Sequence, residues 1–103
     1  MATYRQTCEA ALEHYGVHHQ IVKCMEECGE LIQALARNLN GEHNEENVAE
    51  ELADVEIMIA QMRLIFGGSV GYDVDRIKAQ KLARLKMRME EEETGRSYGE
   101  ESY

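Results

Sequence analysis

Three observations predict an all-α fold for this 103-residue chain. It contains no proline, few of its segments alternate as a strand would, and its apolar residues recur at helical spacing. In one segment Ile21, Met25, Cys28, Ile32, Leu35 and Leu39 step by four and three; in the next, Val48, Leu52, Val55, Ile59, Met62 and Phe66 keep the same rhythm. Two long stripes of this kind are the mark of amphipathic helices.

Punctuation divides the chain into four helices. A first helix runs from about Thr3 to Tyr15 and is closed by Gly16. The second ends at "NLNGEHN", where Gly41 suits a left-handed C-terminal turn. Asn44 is placed to cap the third, and Glu45 and Glu46 follow where the positive end of the helix dipole favours acids. "GGSVGY" breaks the chain again, and Asp73 caps a fourth helix through about Glu93. The expected organisation is one four-helix, bundle-like domain over residues 1–93, followed by a polar, frayed tail over 94–103.

The central helices are apolar on more than one face. Leu31 and Ala34 add a second sector to one, Met58 and Ile65 to the other. Enclosure by the remaining helices or by another subunit accounts for this.

Composition excludes several roles. A formal net charge of −9 is the wrong sign for binding a nucleic-acid backbone. No apolar run is long enough to cross a bilayer, and "MATYRQTCEAALEHYG" lacks the order of a signal peptide. Three cysteines without a CxxC suggest neither a disulfide framework nor a zinc site, so a cytoplasmic location is expected. Cys24 and Cys28 read as small buried thiols, and Tyr15 and Phe66 as packing residues.

The acids are less ordinary. "MEECGELIQAL" carries Glu26, Glu27 and Glu30, and "AEELADVEIMI" carries Glu50, Glu51 and Asp54. Residues three apart share a helix face, so Glu27 projects with Glu30 and Glu51 with Asp54. Both pairs border the second apolar sector. A short linker makes the two helices antiparallel neighbours, so the pairs can meet. Four carboxylates in a partly desolvated place repel one another; some must protonate unless a cation intervenes. Mg²⁺, a hard ion with oxygen ligands, suits such a set. Spacing alone leaves a solvated acidic face as an equal reading.

An ExxE pair followed about twenty residues later by an ExxD pair resembles the MazG-like all-α nucleoside triphosphate pyrophosphohydrolases. The pairs here are Glu27-Cys28-Gly29-Glu30 and Glu51-Leu52-Ala53-Asp54, and "KLARLKMR" is similar to the family's basic final segment. The resemblance covers most of residues 3–90. It implies a MazG fold, a homodimer or homotetramer, and Mg²⁺-dependent hydrolysis of a ribo- or deoxyribonucleoside triphosphate to the monophosphate and pyrophosphate, in nucleotide-pool housekeeping. It implies that Glu27, Glu30, Glu51 and Asp54 are the metal ligands, with Glu26 beside Glu27 orienting or activating water. Lys81 and Arg84, with Lys78 as an alternative, are expected to hold phosphate oxygens. MazG proteins often carry an Asn two residues before that Lys, where this chain has Ala79. Relatives act on dUTP, dCTP or phosphoribosyl-ATP, so the motif does not select the base. The rival expectation is a non-catalytic helical oligomerisation or regulatory module with an acidic surface.

Overall fold

The computed structural model describes residues 1–67 and 73–95. They form four α-helices and no strand: α1 (Tyr4–Tyr15), α2 (Val17–Leu39), α3 (Glu45–Phe66) and α4 (Val74–Glu93). The chain divides into two units, Met1–Gly67 with α1 to α3 and Gly68–Tyr103 with α4, and each is described by itself. The break expected at residues 68–72 and the tail from residue 96 lie outside the described residues.

In the first unit, α1 opens with a capping box. Thr3 Oγ1 accepts from the Gln6 amide at 3.1 Å, and Gln6 Oε1 accepts from the Thr3 amide at 2.9 Å. Two amides that have no partner within the helix are thereby satisfied. Gly16 ends α1 and starts α2 in one residue: its N–H reaches Leu12 O at 2.9 Å, and its carbonyl accepts from Gln20 N at 3.1 Å. That corner holds φ at 90° and ψ at 153°, a conformation that L side chains resist.

The α2–α3 link reverses the chain through a Schellman motif. Gly41 (φ 99°) donates to Asn38 O at 3.0 Å, and Glu42 donates to Arg37 O at 3.1 Å. Asn44 stands at the expected N-cap position, but its side chain makes no capping bond. The tight reversal brings α2 within reach, and Asn44 Nδ2 donates instead to Ala34 O at 3.0 Å. Asn38 Nδ2 adds a bond to Glu45 Oε2 at 2.8 Å. The hairpin is tied across its open end rather than capped locally.

Which apolar stripe faces inward differs from the expectation. The α2 seam is Gln20, Cys24, Glu27, Leu31, Ala34 and Asn38, all buried or half-buried; Ala34, at 0 % exposure, lets α3 approach closely. On α3 the matching seam is Val48, Glu51, Val55, Met58, Gln61, Met62 and Ile65. The more regular α2 stripe is largely outside: Met25, Ile32 (67 % exposed), Leu35 and Leu39 (89 %) are bare, as are Leu52, Ile59 and Phe66 on α3. Each bare residue sits one position after a seam residue. One step turns about 100° around a helix, and in an antiparallel pair those turns lead to the same side. The result is one face that is apolar along α2, while on α3 Glu56 and Arg63 stand between the apolar Leu52, Ile59 and Phe66. The other side receives α1, which touches both α2 and α3. There Cys8 is buried and shares a cleft of about 400 Å³ with Ala2, Tyr4, Thr7 and Ile57.

In the second unit, Asp73 caps α4 as expected, its Oδ1 accepting from the Arg76 amide at 3.1 Å. No α4 residue is buried.

Candidate metal centre

Glu27 projects from the α2 seam toward α3, where Glu51 and Asp54 stand one turn apart. One carboxylate oxygen from each of the three lies within 4.8 Å of the others, a group that could hold a metal ion. Burial falls across the group: Glu27 is 7 % exposed, Glu51 is half-buried and Asp54 faces solvent. The cluster therefore starts inside the seam and opens at the surface.

The two oxygens of Glu27 have different surroundings. Oε1 accepts from Lys23 Nζ at 3.1 Å. Oε2 is buried and meets no hydrogen-bond donor, and the same holds for Oε2 of Glu51. A buried polar atom without a partner costs about 1–3 kcal/mol, and more when charged, so two of them in one cluster suit a cation, or a proton shared with the Glu30 carboxyl that touches both side chains. The donor set is all oxygen and carries three negative charges. That chemistry fits Mg²⁺, Mn²⁺ or Ca²⁺ and disfavours zinc, which prefers nitrogen and sulfur.

Of the four expected ligands, the structure gathers Glu27, Glu51 and Asp54. Glu30 stands outside the triad, exposed, but within its field. Repulsion from Glu27, a carboxyl–carboxyl contact with it and then repulsion from Glu51 raise the Glu30 carboxyl above its usual value. Glu26 is exposed on another face of α2 and pairs with Lys23 at 3.9 Å. Lys23 itself is a member of the cluster that the acidic motif does not announce. Its signal was the four-residue step to Glu27, which puts the two on one face. The hydrogen bond with Glu27, then its charge, raises the Lys23 ammonium above its ordinary value, so it stays a cation.

The Glu30 shift carries a pH prediction. The folded chain binds that proton more tightly than the unfolded chain, so protonation favours folding. The contribution is present below the ordinary value of 4.5 and lost as pH rises through the raised folded value. In EDTA, Glu30→Gln should therefore melt slightly above the native protein at pH 7, and the two should converge below pH 4.5. The effect is small, because the group is solvent-screened. Equal melting temperatures across the whole range would show that Glu30 does not sense the triad.

Of the expected phosphate-binding cations on α4, Lys81 is half-buried while Lys78 and Arg84 are exposed. Lys78 and Lys81 line a groove with Val74, Ile77, Leu82 and Leu85. Cys24 lies in the α2 seam, where burial pushes its thiol up, as suits an inert core thiol. No helix among the described residues is long and apolar enough to cross a membrane.

Comparison with known proteins returned no matching family model, no matching curated protein and no matching solved structure.

Proposed function

We propose that this protein is a divalent-cation-dependent hydrolase that splits a nucleoside triphosphate into the monophosphate and pyrophosphate. The observation that carries the reading is the pair of buried, donor-less oxygens, Glu27 Oε2 and Glu51 Oε2, beside Asp54. The order of the ExxE and ExxD pairs, with its resemblance to the MazG-like enzymes, supplies the reaction class.

In this mechanism Glu27, Glu51 and Asp54 would hold the cation, with the Glu30 carboxyl beside them. Bound there, Mg²⁺ supplies positive charge against the triphosphate and Lewis-acid polarisation of a phosphoryl oxygen and of water. Lys23 keeps Glu27 Oε1 engaged and so presents Oε2 to the site. Glu26, exposed beside Lys23, is the group assigned to orient water. The water oxygen bonds to the α-phosphorus as its proton passes by way of Glu26 to solvent, and the α–β bridging oxygen leaves with pyrophosphate. Lys78, Lys81 and Arg84, in the second unit, are given phosphate oxygens by the resemblance alone. The cleft beside Ile57, one turn along α3 from Asp54, has a volume in the range of small-molecule sites.

A second copy of the chain is proposed to cover the bare α2–α3 face. No large side chain of the described residues is completely buried, so the single chain has a thin core. With 23 residues in α2, the face is about 34 Å long and two helices, about 20 Å, wide. That offers about 700 Å² per copy, close to the roughly 800 Å² per partner of a stable interface. The same face favours the rival reading, a non-catalytic oligomerisation module.

The deciding experiment is pyrophosphate release from a panel of ribo- and deoxyribonucleoside triphosphates, with Mg²⁺ and with EDTA. Release that requires the cation is the expected result. Silence on the panel and on a phosphoribosylated nucleotide, with no Mg²⁺ effect on melting, leaves the oligomerisation module.

A further inference from the structure

We infer that the buried Gln20–Gln61 pair sets the register of α2 against α3, and thereby positions the acidic triad; the second clause rests on the cation site proposed above. Gln20 and Gln61 are only 4 % and 3 % exposed, yet they are amides within an otherwise largely apolar stretch of seam. Gln20 Nε2 donates to Gln61 Oε1 at 2.7 Å. His19 Nδ1 lies 2.7 Å from Gln20 Oε1, and Gln61 Nε2 reaches Met58 Sδ at 3.8 Å. The chain of bonds has one direction. Gln20 gives its amide hydrogen to Gln61, so its oxygen is the acceptor and His19 Nδ1 must carry the proton. His19 is in turn stacked on Tyr15, ring centroids 5.1 Å apart, at the α1–α2 corner.

Position along the seam gives this pair its role. Gln20 lies seven residues before Glu27, and Gln61 seven residues after Asp54. In an antiparallel pair those offsets match, so the amide pair faces across the seam in the same register as Glu27 and Asp54, about 10.5 Å away. Sliding one helix by a turn, about 5.4 Å, would break the amide bond and part the acids together. Away from the close contact at Ala34 and the Asn44–Ala34 tie at the hairpin end, apolar contacts resist such a slide poorly. Leu31 and Ala34 on one side, and Val55, Met58 and Met62 on the other, repeat at near-equivalent steps, and the acids repel one another where they meet. A buried, directional hydrogen bond tells one register from the next, as buried polar pairs do in helical seams.

The test uses the full chain with Gln20→Leu/Gln61→Leu, which keeps the seam filled and leaves no unpaired amide. Helicity and melting temperature should equal or exceed the native values. Mn²⁺ affinity, measured by titration calorimetry, should fall by about 10- to 100-fold, the loss typical when groups supporting a ligand are removed. The nuclear Overhauser contacts between α2 and α3 should change from one native set to a shifted or multiple set. A single native set in the variant overturns the register role, whatever Mn²⁺ does. A lost native set with native Mn²⁺ affinity overturns the link to the triad. If the native protein itself binds no Mn²⁺, the cation reading fails while the contact pattern still decides the register. Should the double variant not fold, Gln61→Met keeps the side chain's length and removes its half of the inter-helix bond. The α2–α3 contacts should then shift or multiply; a single native set overturns the proposal.

Discussion

Glu27→Gln should remove Mg²⁺-dependent pyrophosphate release while leaving the cation-free protein at least as stable. A metal clamp on a phosphoryl group is worth several kcal/mol, and at 1.36 kcal/mol per decade the loss is about 10²- to 10⁴-fold in kcat/KM. The stability half follows from the local geometry. Glu27 Oε2 and Glu51 Oε2 are both buried without a donor, and an amide at position 27 removes one charge and can donate to the other oxygen. Mg²⁺ at a hundred times its dissociation constant should stabilise the native protein by about 2.7 kcal/mol, and the variant by almost nothing. Asp54→Asn should behave alike with a smaller stability change, because Asp54 already faces solvent. Hydrolysis that survives both substitutions would take the triad out of the mechanism. A variant that merely unfolds would show the acids to be structural.

Ile32→Asp should convert an oligomer into a monomer at micromolar concentration, read as mass by analytical ultracentrifugation. Ile32 is 67 % exposed, so its removal costs the single chain little. In a two-fold interface the residue is lost twice. At about 1.5–3 kcal/mol per buried aliphatic side chain this is about 3–6 kcal/mol, or roughly 10²- to 10⁴-fold in dissociation constant. An oligomer of unchanged mass would move the interface elsewhere, and a native monomer would end the assembly reading. Retained hydrolysis by the monomeric variant would show that one copy holds a complete site.

The helices were legible because their signals are local. Thr3 with Gln6, Gly16, Gly41 and Asp73 act within four residues of themselves, and each ends or begins a helix where the spacing indicated. Asn44 was legible in position but not in partner, since its bond to Ala34 O exists only after the chain has reversed. The acidic pairs could be read to a face and no further. That Glu27, Glu51 and Asp54 converge, with the Glu30 carboxyl touching Glu27 and Glu51 at their edge, depends on the rotation of α2 about its axis. So does the choice of seam: the stripe through Ile32 and Leu39 is the more regular, yet the one through Leu31 and Ala34 is inside.

The sequence by itself determined the all-α class, the helix limits, the hairpin turn and the pairing of acids on two helix faces, because periodicity and capping are properties of neighbouring residues. The tertiary structure decided which apolar face closes, which three carboxylates meet, and that two buried glutamines cross the seam. Those facts depend on the relative rotation and register of two helices. Many apolar residues satisfy those degrees of freedom almost equally, and only close packing at Ala34 and a few directional bonds select one arrangement.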